Sequence, residues 1–138
     1  MFDKGCKANN MRVKVIINSR SGAGRGREQT EIIRTLGGRY GDLDIFMTHR
    51  PRHATELAAT AADEGYDMVA AAGGDGTVHE VVNGLMSGDR AALPLGIIPI
   101  GSGNDLAFGL GFKEKADDAV QRLFTGTPQP LDLARVTD

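Results

Sequence analysis

Short apolar runs alternate along the chain with segments in which apolar residues recur at helical spacing. Arg12–Asn18 is rich in β-branched residues and predicts a strand, whereas Val78, Val81 and Leu85 fall on one face of a helix. The same criteria predict strands over Leu43–Thr48, Met68–Ala72, Leu95–Ile100 and Leu131–Val136, and helices over Glu28–Leu36, His53–Glu64, Val78–Met86 and Ala116–Leu123. This alternation is typical of an α/β domain that has a mostly parallel sheet with helices on both faces. Ligands of such sheets bind beyond the carboxyl ends of the strands, so we expect the chemistry in the loops that follow them.

The composition fits one globular domain and argues against several classes of function. The 138 residues are 41% hydrophobic and 25% charged, and we expect a flexible leader over residues 1–11 and a domain over residues 12–138. The formal net charge of −2 gives no reason to expect nucleic-acid binding. The single cysteine excludes a disulfide framework and favours a cytoplasmic setting. No apolar run approaches the roughly 20 residues of a transmembrane helix.

The most informative segment is the glycine-rich loop Gly73–Thr77, which follows a predicted strand and precedes a predicted helix. Backbone N–H groups are accessible in such a turn and the helix N-terminus is electropositive, a combination that suits a phosphate chain. Asp75 adds a carboxylate that can orient Mg²⁺ through water. The structural alternative is a plain strand–helix turn, in which Thr77 and Glu80 form a capping box as N-cap and N3, and we assign both residues that capping role. That alternative leaves Asp75 between glycines unexplained, so we expect phosphate binding here.

Two other loops follow predicted strands and add to this edge of the sheet. Gly101–Asp105 reads Gly-Ser-Gly-Asn-Asp, which suits phosphate binding or an N-capped turn. Asn18–Gly26 is rich in glycine and arginine, and it fits either phosphate binding or a solvated turn. Its glycine spacing does not match a dinucleotide fingerprint, and no Gly-Lys-Ser/Thr follows as in a Walker loop. Thr48 ends a strand at the same edge, whereas the three histidines lack metal-ligand spacing.

From about Arg12 to its end, the chain resembles the catalytic domain of the diacylglycerol kinase family, which includes bacterial lipid kinases and the sphingosine and ceramide kinases. The resemblance is carried, in chain order, by Asn18 with Ser21-Gly22, Thr48 with His53-Ala54, Gly73–Thr77 with Glu80-Val81 and Asn83–Leu85, and Gly101–Asp105. NAD kinases share the Gly-Gly-Asp-Gly-Thr core, and the Gly-Ser-Gly-Asn-Asp motif points to the lipid branch. The resemblance implies a three-layer, Rossmann-like fold of the NAD kinase/diacylglycerol kinase type. It also implies nucleotide contacts by Asn18, Ser19, Arg20, Ser21, Gly22, Ala23, Thr48, Gly73, Gly74, Asp75, Gly76, Thr77, Val78, His79, Gly101, Ser102, Asn104 and Asp105.

By the same resemblance, the parent enzyme transfers the γ-phosphate of ATP, with Mg²⁺, to a lipid hydroxyl such as that of diacylglycerol. Asp75 is the expected catalytic residue, as the group that organises the metal and the phosphates. Family members continue into a C-terminal β-sandwich domain that supplies the catalytic base, so we expect this chain alone to be inactive. We expect a cytoplasmic protein peripheral to the inner face of the membrane, and a homo-oligomer is compatible with the sequence. An NAD kinase and a non-catalytic nucleotide-binding module are the alternatives.

Overall fold

A computed structural model of the chain confirms the predicted alternation of strands and helices. It describes residues 11–18, 26–88, 92–100, 116–131 and 133–134. The described strands are β1 (Arg12–Asn18), β2 (Asp42–Thr48), β3 (Met68–Gly73) and β4 (Leu95–Pro99). The described helices are α1 (Gly26–Gly37), α2 (His53–Ala59), α3 (Asp75–Leu85) and α4 (Ala116–Thr125). In chain order each described strand is followed by a helix, as in successive βαβ units.

The four described strands form one parallel sheet in the order β2–β1–β3–β4. Asn18 lies opposite Thr48 in the pairing of β1 with β2, and Gly73 lies opposite Pro99 in the pairing of β3 with β4. The carboxyl ends of the strands therefore meet along one edge. Because β2 and β3 lie on opposite sides of β1, the chain changes direction between β1 and β3, and this is where open α/β sheets bind their ligands.

Helices cover both faces of the sheet with separate apolar cores. α1 and α4 pack on one face against buried residues that include Val15 and Ala70. α2 and α3 pack on the other face, against Ile16 and Val69 among others. Successive side chains of a strand point to opposite faces, so β1 and β3 are buried on both sides. This double burial explains why they are nearly continuous apolar runs in the sequence.

Lys14 is the exception to the apolar pattern of β1. Its side chain is fully buried on the face that α2 covers. Nζ donates a hydrogen bond to the Leu57 carbonyl oxygen at 2.7 Å and another to Glu64 Oε1 at 2.5 Å. The ammonium also lies 4.9 Å from the centre of the Phe46 ring. A buried charge is costly unless it is paired, and these contacts supply the pairing while they attach α2 to the sheet.

The same contact explains why α2 is shorter than predicted. The helix predicted over His53–Glu64 ends at Ala59. The Leu57 carbonyl accepts from Lys14, and the Ala61 N–H donates to the Ala58 carbonyl at 3.3 Å in place of a further helical bond. The chain then continues in turns, and Gly65 has a φ of 88°, a left-handed conformation that favours glycine. Gly65 therefore closes this turn segment.

Two other sequence expectations concern the chain ends and the membrane. The strand predicted over Leu131–Val136 is not found at the described residues Leu131, Leu133 and Ala134, and the rest of that range lies outside the described residues. Most of the predicted leader, residues 1–10, also lies outside them. Within the described ranges, no helix has the length and apolar character needed to cross a bilayer.

Candidate functional site

β3 runs into α3 through a single residue, Gly74, at the carboxyl edge of the sheet. α3 begins at Asp75, three residues before its predicted start, and its N-cap is Gly74 without a side-chain hydrogen bond. The predicted capping box is therefore wrong, because Thr77 occupies the third helical position and Glu80 lies inside the helix. The main chain already closes this turn, since the Val78 N–H donates to the Gly74 carbonyl at 3.1 Å. Thr77 is instead buried, with 4% of its surface exposed.

The glycines of this loop are not explained by backbone conformation. Gly74 has φ −93° and ψ −166°, an extended conformation that any residue adopts. Among the glycines in the described ranges, only Gly65 has a positive φ. Gly76 lies in the first turn of α3, and apart from its chain neighbours and the backbone of its own helix, a Cβ placed on it would meet no atom of the described residues within 4 Å. Alanine would fit there and would favour the helix, so the remaining physical reason for a glycine is the close approach of a ligand to the backbone.

The loop therefore offers main-chain donors and few side chains to a ligand. Thr77 and Val78 are 4% and 3% exposed, so their side chains are not presented to a ligand. The first N–H groups of a helix have no carbonyl partner within the helix, and together they carry a partial charge of about +0.5. Asp75 is half-buried in the same first turn. Its carboxylate is thus adjacent to the electropositive end of the helix, an arrangement that would suit a phosphate accompanied by a cation.

Asp75 is the carboxylate in the first turn of α3 that could contact a metal ion. Within the described ranges, no group of three or more His, Cys, Asp or Glu side chains is arranged to hold a metal ion. Mg²⁺ commonly keeps several waters and binds proteins through one or two carboxylates together with substrate phosphates. A single carboxylate beside a phosphate-binding loop fits that mode of binding. The described residues are therefore compatible with Mg²⁺ that arrives with a nucleotide.

Asn18 and Thr48 lie side by side at the same edge, as predicted from the strand ends. Asn18 is half-buried and Thr48 is 8% exposed. Beyond Thr48, the His49 N–H donates to His53 Nδ1 at 3.0 Å and so closes the turn into α2. The His53 ring accepts this bond through Nδ1, so it has a structural role in the turn.

Of the remaining predicted nucleotide contacts, His79 is described by the structure and the others lie outside the described residues. His79 is exposed one turn after Asp75 on the same side of α3, and its Nε2 is 3.2 Å from Asn83 Nδ2. The predicted contacts that lie outside the described residues are Ser19, Arg20, Ser21, Gly22, Ala23, Gly101, Ser102, Asn104 and Asp105. The described edge thus brings together Asn18, Thr48 and the segment from Gly73 to His79.

Two contacts that hold α3 against α2 were missed by the sequence analysis. Thr55 Oγ1 donates to the Glu80 carbonyl oxygen at 2.8 Å. Gly84 lies so close to α2 that a Cβ on it would be 2.3 Å from the Thr55 carbonyl oxygen and 2.7 Å from Ala58 Cβ. Because a helix is stiff along its axis, these contacts fix where its N-terminal amides lie. The signal in the sequence was Gly84 itself, a glycine inside a strongly periodic helix.

Tyr66 belongs to a charged cluster at the amino half of the sheet, away from the loop. Its hydroxyl donates to Asp44 Oδ2 at 2.7 Å, and the Arg12 guanidinium lies 4.7 Å from the centre of its ring. Burial, together with the bond to Asp44, raises the pKa of Tyr66 to about 12. Tyr66 therefore stays neutral over the physiological range and has a structural role.

Comparison with known proteins agrees with this geometry. The sequence model of the diacylglycerol kinase catalytic domain matches residues 12–136. The chain is 43% identical over 84 residues to a diacylglycerol kinase of Bacillus subtilis. The aligned region covers 60% of this chain and 27% of that protein. The chain is also 32% identical over 135 residues to sphingosine kinase B of Dictyostelium discoideum. This aligned region covers 92% of this chain and 17% of that protein.

A solved structure is similar to this chain in both fold and sequence. A crystal structure of a diacylglycerol kinase from Bacillus anthracis superposes with a TM-score of 0.74 at 30% identity, over 88% of this chain and 44% of that chain. The chain therefore spans less than half the length of these relatives. Because the sequence model matches from the first strand to residue 136, the chain belongs to the diacylglycerol kinase catalytic domain family.

Proposed function

We propose that this chain is the ATP-binding catalytic domain of a lipid kinase, which transfers the γ-phosphate of ATP to a lipid hydroxyl such as that of diacylglycerol. The observation that carries the proposal is Gly76, a glycine at a helix N-terminus that neither its backbone conformation nor packing against the described residues requires. A phosphate chain that approaches the backbone supplies the missing reason. Membership of a kinase family supports ATP as the phosphate donor.

In this proposal the phosphates lie against the N–H groups at the start of α3. Donors fixed by the helix need no rearrangement when negative charge develops on the transferred phosphoryl group, so they stabilise the transition state. Asp75 orients the waters of the cation that accompanies the phosphates. Mg²⁺, when bound, would neutralise charge on the phosphate oxygens. Asn18 and Thr48 lie at the neighbouring strand ends, where they are available to the rest of the nucleotide.

The acceptor and the catalytic base are further parts of the proposal. The relatives include kinases named for diacylglycerol and for sphingosine, so we propose a lipid alcohol as acceptor and peripheral association with the inner face of the membrane. We also propose that the base belongs to a C-terminal β-sandwich domain, as the resemblance implies. Residues 1–138 alone would then bind nucleotide without transferring phosphate.

Calorimetric titration of residues 1–138 with Mg·ATP, Mg·ADP and NAD tests the nucleotide part of the proposal. We expect ATP and ADP to bind and NAD not to bind. Binding of NAD alongside ATP would favour the alternative of an NAD kinase, and failure of both ATP and ADP to bind would refute nucleotide binding. To test the acceptor, the full-length enzyme is given radiolabelled ATP with diacylglycerol or with a long-chain base, and the labelled lipid is identified. The same assay on residues 1–138 tests the position of the base. Phosphorylated lipid made by residues 1–138 alone would contradict the proposal that the base lies elsewhere.

A further inference from the structure

The turn that joins β2 to α2 lies at the carboxyl edge of the sheet, directly after Thr48. The His53 N–H donates to the Arg50 carbonyl oxygen at 3.2 Å, which closes a four-residue turn with Pro51 and Arg52 at its centre. Arg52 has φ 67° and ψ 0°, in the left-handed region. A proline followed by a residue of positive φ is the pattern of a type II turn. The path of the chain into α2 therefore requires a left-handed residue at this position.

Arginine is an unfavourable residue for that conformation. Type II turns usually carry glycine or asparagine there, because the Cβ of other residues crowds the backbone. Among the described residues, Arg52 is the one non-glycine residue with a positive φ, and the other left-handed position is occupied by a glycine, Gly65. Backbone strain of this kind persists where the surroundings hold it, and it concentrates at functional sites. An arginine side chain at this position therefore calls for a reason other than the turn.

Neighbouring contacts hold the turn but not the Arg52 side chain. Arg50 donates two hydrogen bonds to Glu56, from Nη1 to Oε1 at 2.8 Å and from Nη2 to Oε2 at 2.5 Å. The His49 N–H donates to His53 Nδ1, and the Glu56 N–H donates to the Arg52 carbonyl oxygen at 3.2 Å. Arg52 is exposed, and no described residue forms an ion pair with its guanidinium. Arg50 thus belongs to a structural pair, whereas the charge of Arg52 is available to a ligand.

The turn is close to the other elements of the proposed nucleotide site. Thr48 lies opposite Asn18 of β1, and β1 pairs on its other side with β3, which leads into the glycine-rich loop. Neighbouring strands are about 4.8 Å apart, so the ends of β2 and β3 are separated by roughly 10 Å, a distance that one nucleotide can bridge. No lysine or arginine occurs at Asn18, at Thr48 or over Gly73–His79. Arg52 therefore offers a positive charge that those residues lack.

We propose that Arg52 is a nucleotide-binding residue whose guanidinium binds a phosphate group of the bound nucleotide. Guanidinium groups bind phosphate through paired, charge-assisted hydrogen bonds, and this contact compensates for the backbone strain of the turn. The inference rests on the proposed function. It adds to that function a side-chain cation from the turn between β2 and α2.

Arg52→Asn removes the charge and places in the turn a residue that tolerates the left-handed region. In urea unfolding, the equilibrium constant for unfolding should fall about threefold as the strain is relieved. In calorimetric titration of residues 1–138, the affinity for Mg·ATP should fall about tenfold, which is about 1.4 kcal/mol. A more stable protein that binds nucleotide less tightly distinguishes a ligand contact from a structural one, because loss of a structural contact lowers stability.

Two further variants and one further ligand serve as controls. Arg39→Asn removes the same charge from an exposed position that precedes β2, at the amino edge of the sheet, and it should leave the affinity for Mg·ATP unchanged. Arg52→Lys keeps the charge and the strain, so it should bind Mg·ATP more tightly than Arg52→Asn and be no more stable than the unsubstituted chain. Mg·tripolyphosphate has no base or ribose, and Arg52→Asn should weaken its binding by the same factor as that of Mg·ATP.

The outcomes separate this inference from the proposed function. If the unsubstituted chain does not bind Mg·ATP, the proposed function fails and the role of Arg52 with it. If the chain binds Mg·ATP and Arg52→Asn binds it as tightly, only the role of Arg52 is overturned. A loss for Mg·ATP without a loss for Mg·tripolyphosphate would place Arg52 at the base or ribose and overturn the phosphate contact. Unchanged nucleotide affinity with weaker sedimentation on phosphatidylglycerol vesicles would assign Arg52 to an anionic membrane surface instead, and lower stability of Arg52→Asn would refute the argument from strain.

Discussion

The substitution Gly76→Ala tests whether the loop after β3 serves a ligand. Apart from its chain neighbours and its own helix, a Cβ on Gly76 would meet no atom of the described residues within 4 Å, so the main expected effect of alanine is to reduce the backbone freedom of the unfolded chain. Glycine in a helix costs about 0.5–1 kcal/mol relative to alanine, and the lower end applies to a first turn. We therefore expect the free energy of unfolding to rise by about 0.5 kcal/mol. A phosphate chain that approaches this backbone would meet the new methyl group, so the affinity for Mg·ATP should fall about tenfold or more.

Gly84→Ala is the matched control in the same helix. Its Cβ would lie 2.3 Å from the Thr55 carbonyl oxygen and 2.7 Å from Ala58 Cβ, so α2 and α3 must separate. Overpacking of this kind costs about 1–3 kcal/mol, which exceeds the gain in helix propensity. Gly84 is eight residues from Gly76, about 12 Å along the helix, so its substitution cannot block the phosphates directly. The affinity for Mg·ATP should therefore change about threefold at most.

Urea unfolding and calorimetric titration of both variants measure the two quantities separately. The expected result is that the two alanines change stability in opposite directions, and that only Gly76→Ala strongly weakens nucleotide binding. If Gly76→Ala is stable and binds Mg·ATP as the unsubstituted chain does, no ligand approaches the backbone at that residue. If it is destabilised, packing explains the glycine and the argument from open space is refuted.

Three further predictions concern residues whose contacts are described. In the full-length enzyme, Asp75→Asn should abolish lipid phosphorylation with unchanged thermal unfolding, and full activity would refute the metal-organising role. Because the pKa of Tyr66 is raised to about 12, its contribution to stability is complete below its ordinary value of 10 and is lost as the pH rises from 10 to 12. Tyr66→Phe should remove that loss of stability, which is at most about 2.7 kcal/mol. Urea unfolding of the unsubstituted chain and of Tyr66→Phe at pH 8 and pH 11.5 measures it. The same loss in both proteins would contradict the prediction. Glu64→Ala should destabilise the fold by about 2–3 kcal/mol and Lys14→Met by about 1–2 kcal/mol. Glu64→Ala costs more because it removes the charge partner of a fully buried ammonium, whereas Lys14→Met leaves a Glu64 side chain that is 46% exposed to water. The reverse order in urea unfolding would argue against a buried, paired Lys14.

The types of the elements could be predicted from the sequence because burial leaves a period in it. β1 and β3 are covered on both faces and read as apolar runs, and α3 shows one apolar side. The ends of the elements depended on contacts that no local pattern contains. α2 ends where Lys14, which is 43 residues before Leu57, takes the carbonyl of that residue. α3 starts early because the main chain closes the turn at Gly74 without the hydroxyl of Thr77.

The sequence places the glycine-rich loop between a strand and a helix, and the structure confirms that position, although the reason for the glycines could not be read from the sequence. Glycine after a strand serves either a left-handed conformation or a close approach, and only φ values separate the two. The structure excludes the first for Gly74 and Gly76, and it assigns the left-handed conformation to Gly65. An apolar cavity at the outer edge of β4 could not be predicted, since its lining joins Met68 to Leu131 and Leu133. Residues so far apart in the chain meet only in the folded domain.

α2 makes none of the predicted phosphate contacts, yet the position of the loop depends on it. Lys14 attaches α2 to β1 through the Leu57 carbonyl, and Thr55 attaches α3 to α2 through the Glu80 carbonyl. The close approach at Gly84 leaves no room for α3 to slide or rotate against α2. The amides at the start of α3 are therefore positioned from β1 through two helices. This gives a physical reason for a charged residue in the middle of an apolar strand, because an aliphatic side chain would fill the core without making the hydrogen bond that attaches α2.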